Sequence, residues 1–127
     1  MPARIVVLGG GVAGTLTANL LAADLKGDAR VAVVDPSGMH HYQPGYLYLA
    51  LGKAQGRWLC RDERQLLRPN VDLVIDEARR IDPAGGTVEL SHGGTLEWDY
   101  LVLATGARLV PELVPGLREA SYHFYSL

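Results

Sequence analysis

The chain has 127 residues, 48% of them hydrophobic and 20% charged, with a mean hydropathy of +0.07. That is enough apolar material for one packed domain, and it excludes a disordered chain, which could not offset its ordering entropy. The net charge of −2 comes from 12 basic and 14 acidic residues without a basic cluster. It excludes the concentrated positive face that nucleic-acid backbones require.

Residues 3–8 read as a strand buried on both faces, because Ile5, Val6, Val7 and Leu8 follow one another without alternation. This run is too short for a secretory h-region of about 7–15 apolar residues. No other run approaches the roughly 18 of a membrane span, and the expected compartment is the cytoplasm. Residues 12–26 have helical periodicity, with Ala13, Leu16, Leu20 and Ala23 on the expected buried face and Lys26-Gly27 as the stop. Residues 30–34 form a second buried strand ending at Asp35, which completes a βαβ unit.

Residues 36–58 are broken by glycine and proline and read as an ordered loop region with one helical turn around 46–51. Residues 61–68 are expected to be a short charged helix, stopped by Pro69, whose Asp62, Glu63, Arg64 and Arg68 form a solvated face. Residues 71–75 are a third strand. The pattern then turns antiparallel, with period-2 stretches at 87–90 and 95–98 separated by glycine turns, before a last buried strand at 100–104.

The strongest chemical signal is Gly9-Gly10-Gly11-Val12-Ala13-Gly14, a G-x-G-x-x-G between a strand and a helix. Gly9 allows the tight turn, Gly11 the approach of a pyrophosphate, and Gly14 close packing of helix on strand. The unpaired amides near Val12 and Ala13 add the positive end of the helix dipole. Asp35 lies 21 residues past Gly14, at the end of the second strand, where a carboxylate accepts ribose hydroxyls and repels a 2′-phosphate. The loop alone leaves FAD and NAD open. The antiparallel segment inserted before Ala104-Thr105-Gly106, where a simple dehydrogenase would continue its strand–helix units, favours FAD.

These marks make the chain similar to the FAD-binding half of the two-dinucleotide-domain flavoproteins of the pyridine nucleotide-disulfide oxidoreductase superfamily. That group includes disulfide reductases, type II NADH dehydrogenases and sulfide:quinone oxidoreductases. His41-Tyr42-Gln43-Pro44, Ala107-Arg108, the 111–117 segment and His123-Phe124-Tyr125 resemble the sulfide:quinone oxidoreductases. Gln43-Pro44-Gly45-Tyr46-Leu47-Tyr48, with Ala50 and Gly52, is also similar to type II NADH dehydrogenases. The resemblance implies an α/β, Rossmann-like three-layer FAD-binding fold over residues 1–127, with an antiparallel β-hairpin or meander layer. It implies that Gly9, Gly11, Val12, Ala13 and Gly14 line the pyrophosphate, and that Asp35, Pro36 and Ser37 hold the adenosine ribose. Ala78 then meets adenine, Gln43 and Pro44 approach the flavin side, and Ala104, Thr105 and Gly106 close the site with Arg108 nearby. For Pro44 and Arg108 an ordinary loop proline and a solvated arginine remain the alternative.

By the same resemblance, sulfide and quinone are substrates of a longer parent enzyme, peripheral at the membrane, that supplies a second glycine loop and a redox cysteine pair. The 127 residues contain one cysteine, Cys60, which matches no family cysteine and is expected to be a packing residue. The chain is therefore expected to be an incomplete, N-terminal part that holds FAD weakly, does not turn over alone, and self-associates through apolar surface. A stand-alone nucleotide-binding module is the non-enzymatic alternative. His40-His41 are expected to be a loop pair without a metal, and Trp58 and Trp98 packing residues.

Overall fold

A computed structural model describes residues 1–126 of the chain. The strands are β1 (Ala3–Leu8), β2 (Ala29–Asp35), β3 (Met39–His41), β4 (Cys60–Asp62), β5 (Val71–Ile75), β6 (Ala78–Asp82), β7 (Thr87–Leu90), β8 (Thr95–Glu97) and β9 (Tyr100–Leu103). The helices are α1 (Val12–Asp24), α2 (Tyr46–Ala50) and α3 (Leu117–Ala120). A parallel sheet in the order β5-β2-β1-β9 forms the middle layer. Alternate residues of β1 serve opposite layers. Ile5 and Val7 pack with Val31, Val33 and Val71 under Ala18 and Ala22 of α1. Val6 and Leu8 face the antiparallel sheet β6-β7-β8, where Val88 is fully buried and Trp98 packs alongside. The result is the expected three-layer arrangement, and β-branched side chains suit a strand covered on both faces.

The buried face of α1 differs from the one expected. Leu16 and Leu20 are 57% and 54% exposed, while Gly14, Thr15, Ala18 and Ala22 are buried. Small residues on that face let the helix lie close to the sheet, and leucines there would hold it away. The helix also stops at Asp24, two residues before Lys26, because Lys26 (φ 40°) and Gly27 (φ 103°) turn left-handed.

The segment 61–68 is not a charged helix. Cys60–Asp62 is a strand that pairs antiparallel with β3, Met39 opposite Asp62 and His41 opposite Cys60. A 3-10 turn at Glu63–Gln65 follows, in which the Asp62 side chain accepts from the Arg64 amide. Arg64, still exposed, donates to the carbonyls of Val71 and Leu73 on edge strand β5 (2.9 and 3.3 Å). Glu63, expected on a solvated face, is completely buried. A strand pairing between residues some 20 apart supplied the alternative to helix, and local charge spacing carries no sign of it. The expected helical turn is present as α2. Trp58 is 55% exposed and does not pack in the core.

Candidate functional site

The glycine loop leaves β1 at the carboxyl end of the parallel sheet. The Gly9 amide donates to the Val34 carbonyl (2.8 Å), and Gly9 is left-handed at φ 108°. A Cβ on Gly9 would stand 2.3 Å from the Ala104 carbonyl oxygen, and one on Gly14 would stand 1.8 Å from the Gly9 carbonyl oxygen. Both positions are glycine because backbone occupies the space. Gly11 is different: its backbone (φ −81°, ψ −171°) suits any residue, and nothing lies within 4 Å of the Cβ it lacks. Its missing side chain keeps open the space in front of the α1 N-terminus. The amides of Gly11, Val12 and Ala13 donate to no protein acceptor among the described residues, and the first turn of α1 holds no acidic side chain. Such free N–H groups with the helix dipole behind them attract an anion.

Asp35 ends β2 beside this loop. Its Oδ2 accepts from the Gly10 amide (2.9 Å), and its Oδ1 accepts from the Ser37 amide (2.9 Å), the Ser37 hydroxyl (2.8 Å) and the Gly38 amide (2.9 Å). Partial burial pushes the carboxyl up, but the donors from Gly10, Ser37 and Gly38 outweigh it and hold Asp35 below the usual carboxylate range. A carboxylate has about four lone-pair sites, so the crowded Oδ1 leaves Oδ2 as the oxygen able to accept one more donor. Pro36 leads the chain into the turn that delivers Ser37 and Gly38.

On the other side of β1, the Ala104 amide donates to the Leu8 carbonyl (2.9 Å), which brings Ala104 and Thr105 against Gly9, with left-handed Gly106 (φ 72°) following in the chain. The crevice between β1 and β9 is where the strand order reverses, the place where ligands bind in open α/β sheets. Beyond it a cavity of about 1030 Å³ is lined by His41, Gln43, Tyr46, Ala107, Arg108 and Tyr125, among others. Pro44 lies in the 3-10 turn next to Gln43 but is not part of that lining. Ala78 opens β6 three residues after Ile75, the register partner of Asp35, and packs in the layer under β1 and β2. The expected site residues thus gather at the carboxyl end of the sheet, except that Ala78 sits in the antiparallel layer beneath it. The open space at Gly11, the free amides and the ionised acid fit an adenine dinucleotide.

Two polar clusters here were not anticipated. Glu63 is buried between Thr15, whose hydroxyl donates to Oε1, and His40, whose Nδ1 lies 3.0 Å from Oε2. The one sequence signal was an acid between Asp62 and Arg64, indistinguishable from a surface charge. Next to it, His41 Nδ1 lies 2.9 Å from the Tyr46 hydroxyl and 3.3 Å from Cys60 Sγ, so Cys60 is half-buried with a polar neighbour. Burial, with Cys60 beside it, pushes the Tyr46 phenol up.

The family model of the pyridine nucleotide-disulphide oxidoreductases matches residues 3–126. Among curated relatives, the mitochondrial sulfide:quinone oxidoreductase of Dictyostelium discoideum is 30% identical over 116 residues, which are 91% of this chain and 26% of that protein. The sulfide-quinone reductase of Aquifex aeolicus is 33% identical over 111 residues, 87% of this chain and 26% of that protein. An alternative NAD(P)H-ubiquinone oxidoreductase of Arabidopsis thaliana is 31% identical, with 98% of this chain and 27% of that protein covered. The solved Aquifex aeolicus sulfide:quinone oxidoreductase superposes with a TM-score of 0.76 at 30% identity, over 85% of this chain and 25% of that one. The chain spans about a quarter of the length of these relatives.

Proposed function

The chain belongs to the pyridine nucleotide-disulphide oxidoreductase family, and from that premise we propose that it is the FAD-binding portion of a sulfide:quinone oxidoreductase. FAD is the cofactor of this domain, and when bound it supplies two-electron transfer. The observation that carries the reading is Gly11, whose open front faces unpartnered amides while Asp35 stands ionised beside it.

The chain's own task in this reading is to bind and orient. The amides of Gly11, Val12 and Ala13 take the pyrophosphate, with Gly9 and Gly14 holding strand and helix close enough to present them. Asp35 Oδ2 accepts from the adenosine ribose, while Pro36 and Ser37 shape the turn around it. Ala78 lies toward adenine. Ala104, Thr105 and Gly106 close the crevice, and Gln43, Pro44 and Arg108 border the flavin end. The sulfide:quinone assignment draws support from the relatives at 30% and 33% identity and from the 41–44 and 107–117 segments. The Arabidopsis relative at 31% identity supports the alternative, an NAD(P)H:quinone oxidoreductase. Either reaction, with quinone as acceptor, belongs to the longer protein that carries this domain.

Titration of the purified chain with FAD, followed by absorption and flavin fluorescence, tests the reading. Saturable FAD binding that NAD does not displace is expected, and tight NAD binding with indifference to FAD would overturn it. In the longer protein, bleaching of the flavin by sulfide is expected, whereas bleaching by NADH alone would transfer the assignment to the alternative. Val12, Leu16 and Leu20 are each more than half exposed along one face of α1. Such a stripe favours self-association of the isolated chain, and a concentration-independent monomer on size exclusion would count against it.

A further inference from the structure

The cluster beneath the glycine loop has no part in the contacts assigned above, yet two of its side chains meet the loop at one atom. His40 Nδ1 lies 3.1 Å from the Gly10 carbonyl oxygen, and the Thr15 hydroxyl lies 3.2 Å from the same oxygen. Both groups are anchored by Glu63, whose side chain is wholly buried and has Thr15 and His40 as its partners. His40 Nδ1 faces acceptors, the Gly10 carbonyl and Glu63, so it is the protonated nitrogen of the ring, and its single proton, like that of the Thr15 hydroxyl, is shared between those two acceptors. Glu63 is itself held in place by its amide, which donates to the Gly38 carbonyl (2.9 Å).

The Gly10–Gly11 peptide is trans, and in a trans peptide the carbonyl of one residue and the N–H of the next point in opposite directions. Fixing the Gly10 carbonyl toward His40 and Thr15 therefore aims the Gly11 N–H the other way, into the open space at the α1 N-terminus. The amide of Gly10 is fixed as well, by Asp35 Oδ2 (2.9 Å). Glycine has little conformational preference of its own, so a three-glycine run needs outside contacts to hold one peptide orientation.

We propose that His40, Glu63 and Thr15 are positioning residues that lock the Gly10–Gly11 peptide with the Gly11 N–H turned toward the cofactor's pyrophosphate. This rests on the FAD reading for the identity of the ligand, but the peptide orientation itself is a property of the free chain. The β3–β4 ribbon, which carries His40 and leads directly into Glu63, thereby becomes the support of the glycine loop.

The test compares His40→Ala with His40→Asn, because an asparagine side-chain amide can place a donor near the Nδ1 position and alanine cannot. Two readouts are taken: the FAD dissociation constant, and the Gly11 amide resonance in the ligand-free chain. We expect His40→Ala to shift the Gly11 resonance and to weaken FAD binding about five- to tenfold, the worth of about one hydrogen bond. His40→Asn should restore both. An unmoved Gly11 resonance in His40→Ala, or equal losses in the two variants, would overturn the proposal. If His40→Ala does not fold, Thr15→Val against Thr15→Ser makes the same comparison from the helix side. A wild-type chain that binds neither FAD nor ADP would sink the cofactor reading, while the Gly11 resonance would still decide the lock.

Discussion

The glycine loop is held from two sides by different physics. Toward β1, β9 and α1 it is held by steric contact, since Gly9 and Gly14 touch backbone and the surrounding residues are apolar. Toward the β3–β4 ribbon it is held by polar groups, the buried Glu63 and Thr15 and the partly buried His40. Packing tolerates no added atom but is indifferent to proton positions. A buried polar cluster tolerates changes of size better than loss of a partner, because an orphaned donor or acceptor costs more than the bond it made. The loop thus combines a rigid wall with a directional clamp, and only Gly11 between them faces open space.

The largest effect is expected at the wall. Gly14→Val places side-chain atoms into the Gly9 carbonyl, already 1.8 Å from a bare Cβ, and should destabilise by more than about 3 kcal/mol. Urea unfolding measures this, and wild-type stability in that variant would break the packing half of the comparison. Next is the clamp. Glu63→Leu removes the nearer acceptor of Thr15 and His40, leaving them only the Gly10 carbonyl, and should cost about 2–3 kcal/mol, whereas Glu63→Gln should cost only about 1. Equal losses in the two variants would mean that volume rather than hydrogen bonding matters at this position.

Gly11→Val should leave stability within about 1 kcal/mol of wild type, since its backbone angles suit valine and its front is open. The same variant should lose FAD affinity by about a hundredfold or more, as the side chain fills the phosphate approach. Unchanged affinity would remove Gly11 from the site. The smallest effect concerns pH. Asp35 has its folded value depressed, so its contribution to stability is complete above the ordinary aspartate range and is lost as pH falls through the depressed value. Unfolding curves taken from neutral to acid pH should show this loss in wild type and a smaller one in Asp35→Asn. Parallel curves for the two would deny Asp35 a structural role.

Much of the architecture was legible in the residues. Uninterrupted Val and Ile runs announced strands covered on both faces, and the period-2 stretches after Ile75 announced the antiparallel layer. Asp35 could be placed because a βαβ unit brings the end of its second strand beside the first loop. On α1, periodicity reports hydrophobicity and points to Leu16 and Leu20, whereas contact with the sheet selects the small residues Gly14, Ala18 and Ala22. The charges of the 61–68 segment fit a solvated helix as well as they fit the strand and turn the chain adopts.

What the sequence determined by itself was the glycine loop, its acidic partner and the order of layers, because these follow from local pattern and from the short reach of a βαβ connection. Tertiary structure decided what surrounds the loop. Only after β3 and β4 pair does Glu63 arrive, sealed from water, between His40 and Thr15. A contact between residues 48 apart leaves no periodicity in the chain. Whether a given carboxylate is solvated or buried therefore depends on the whole fold and not on its neighbours in sequence.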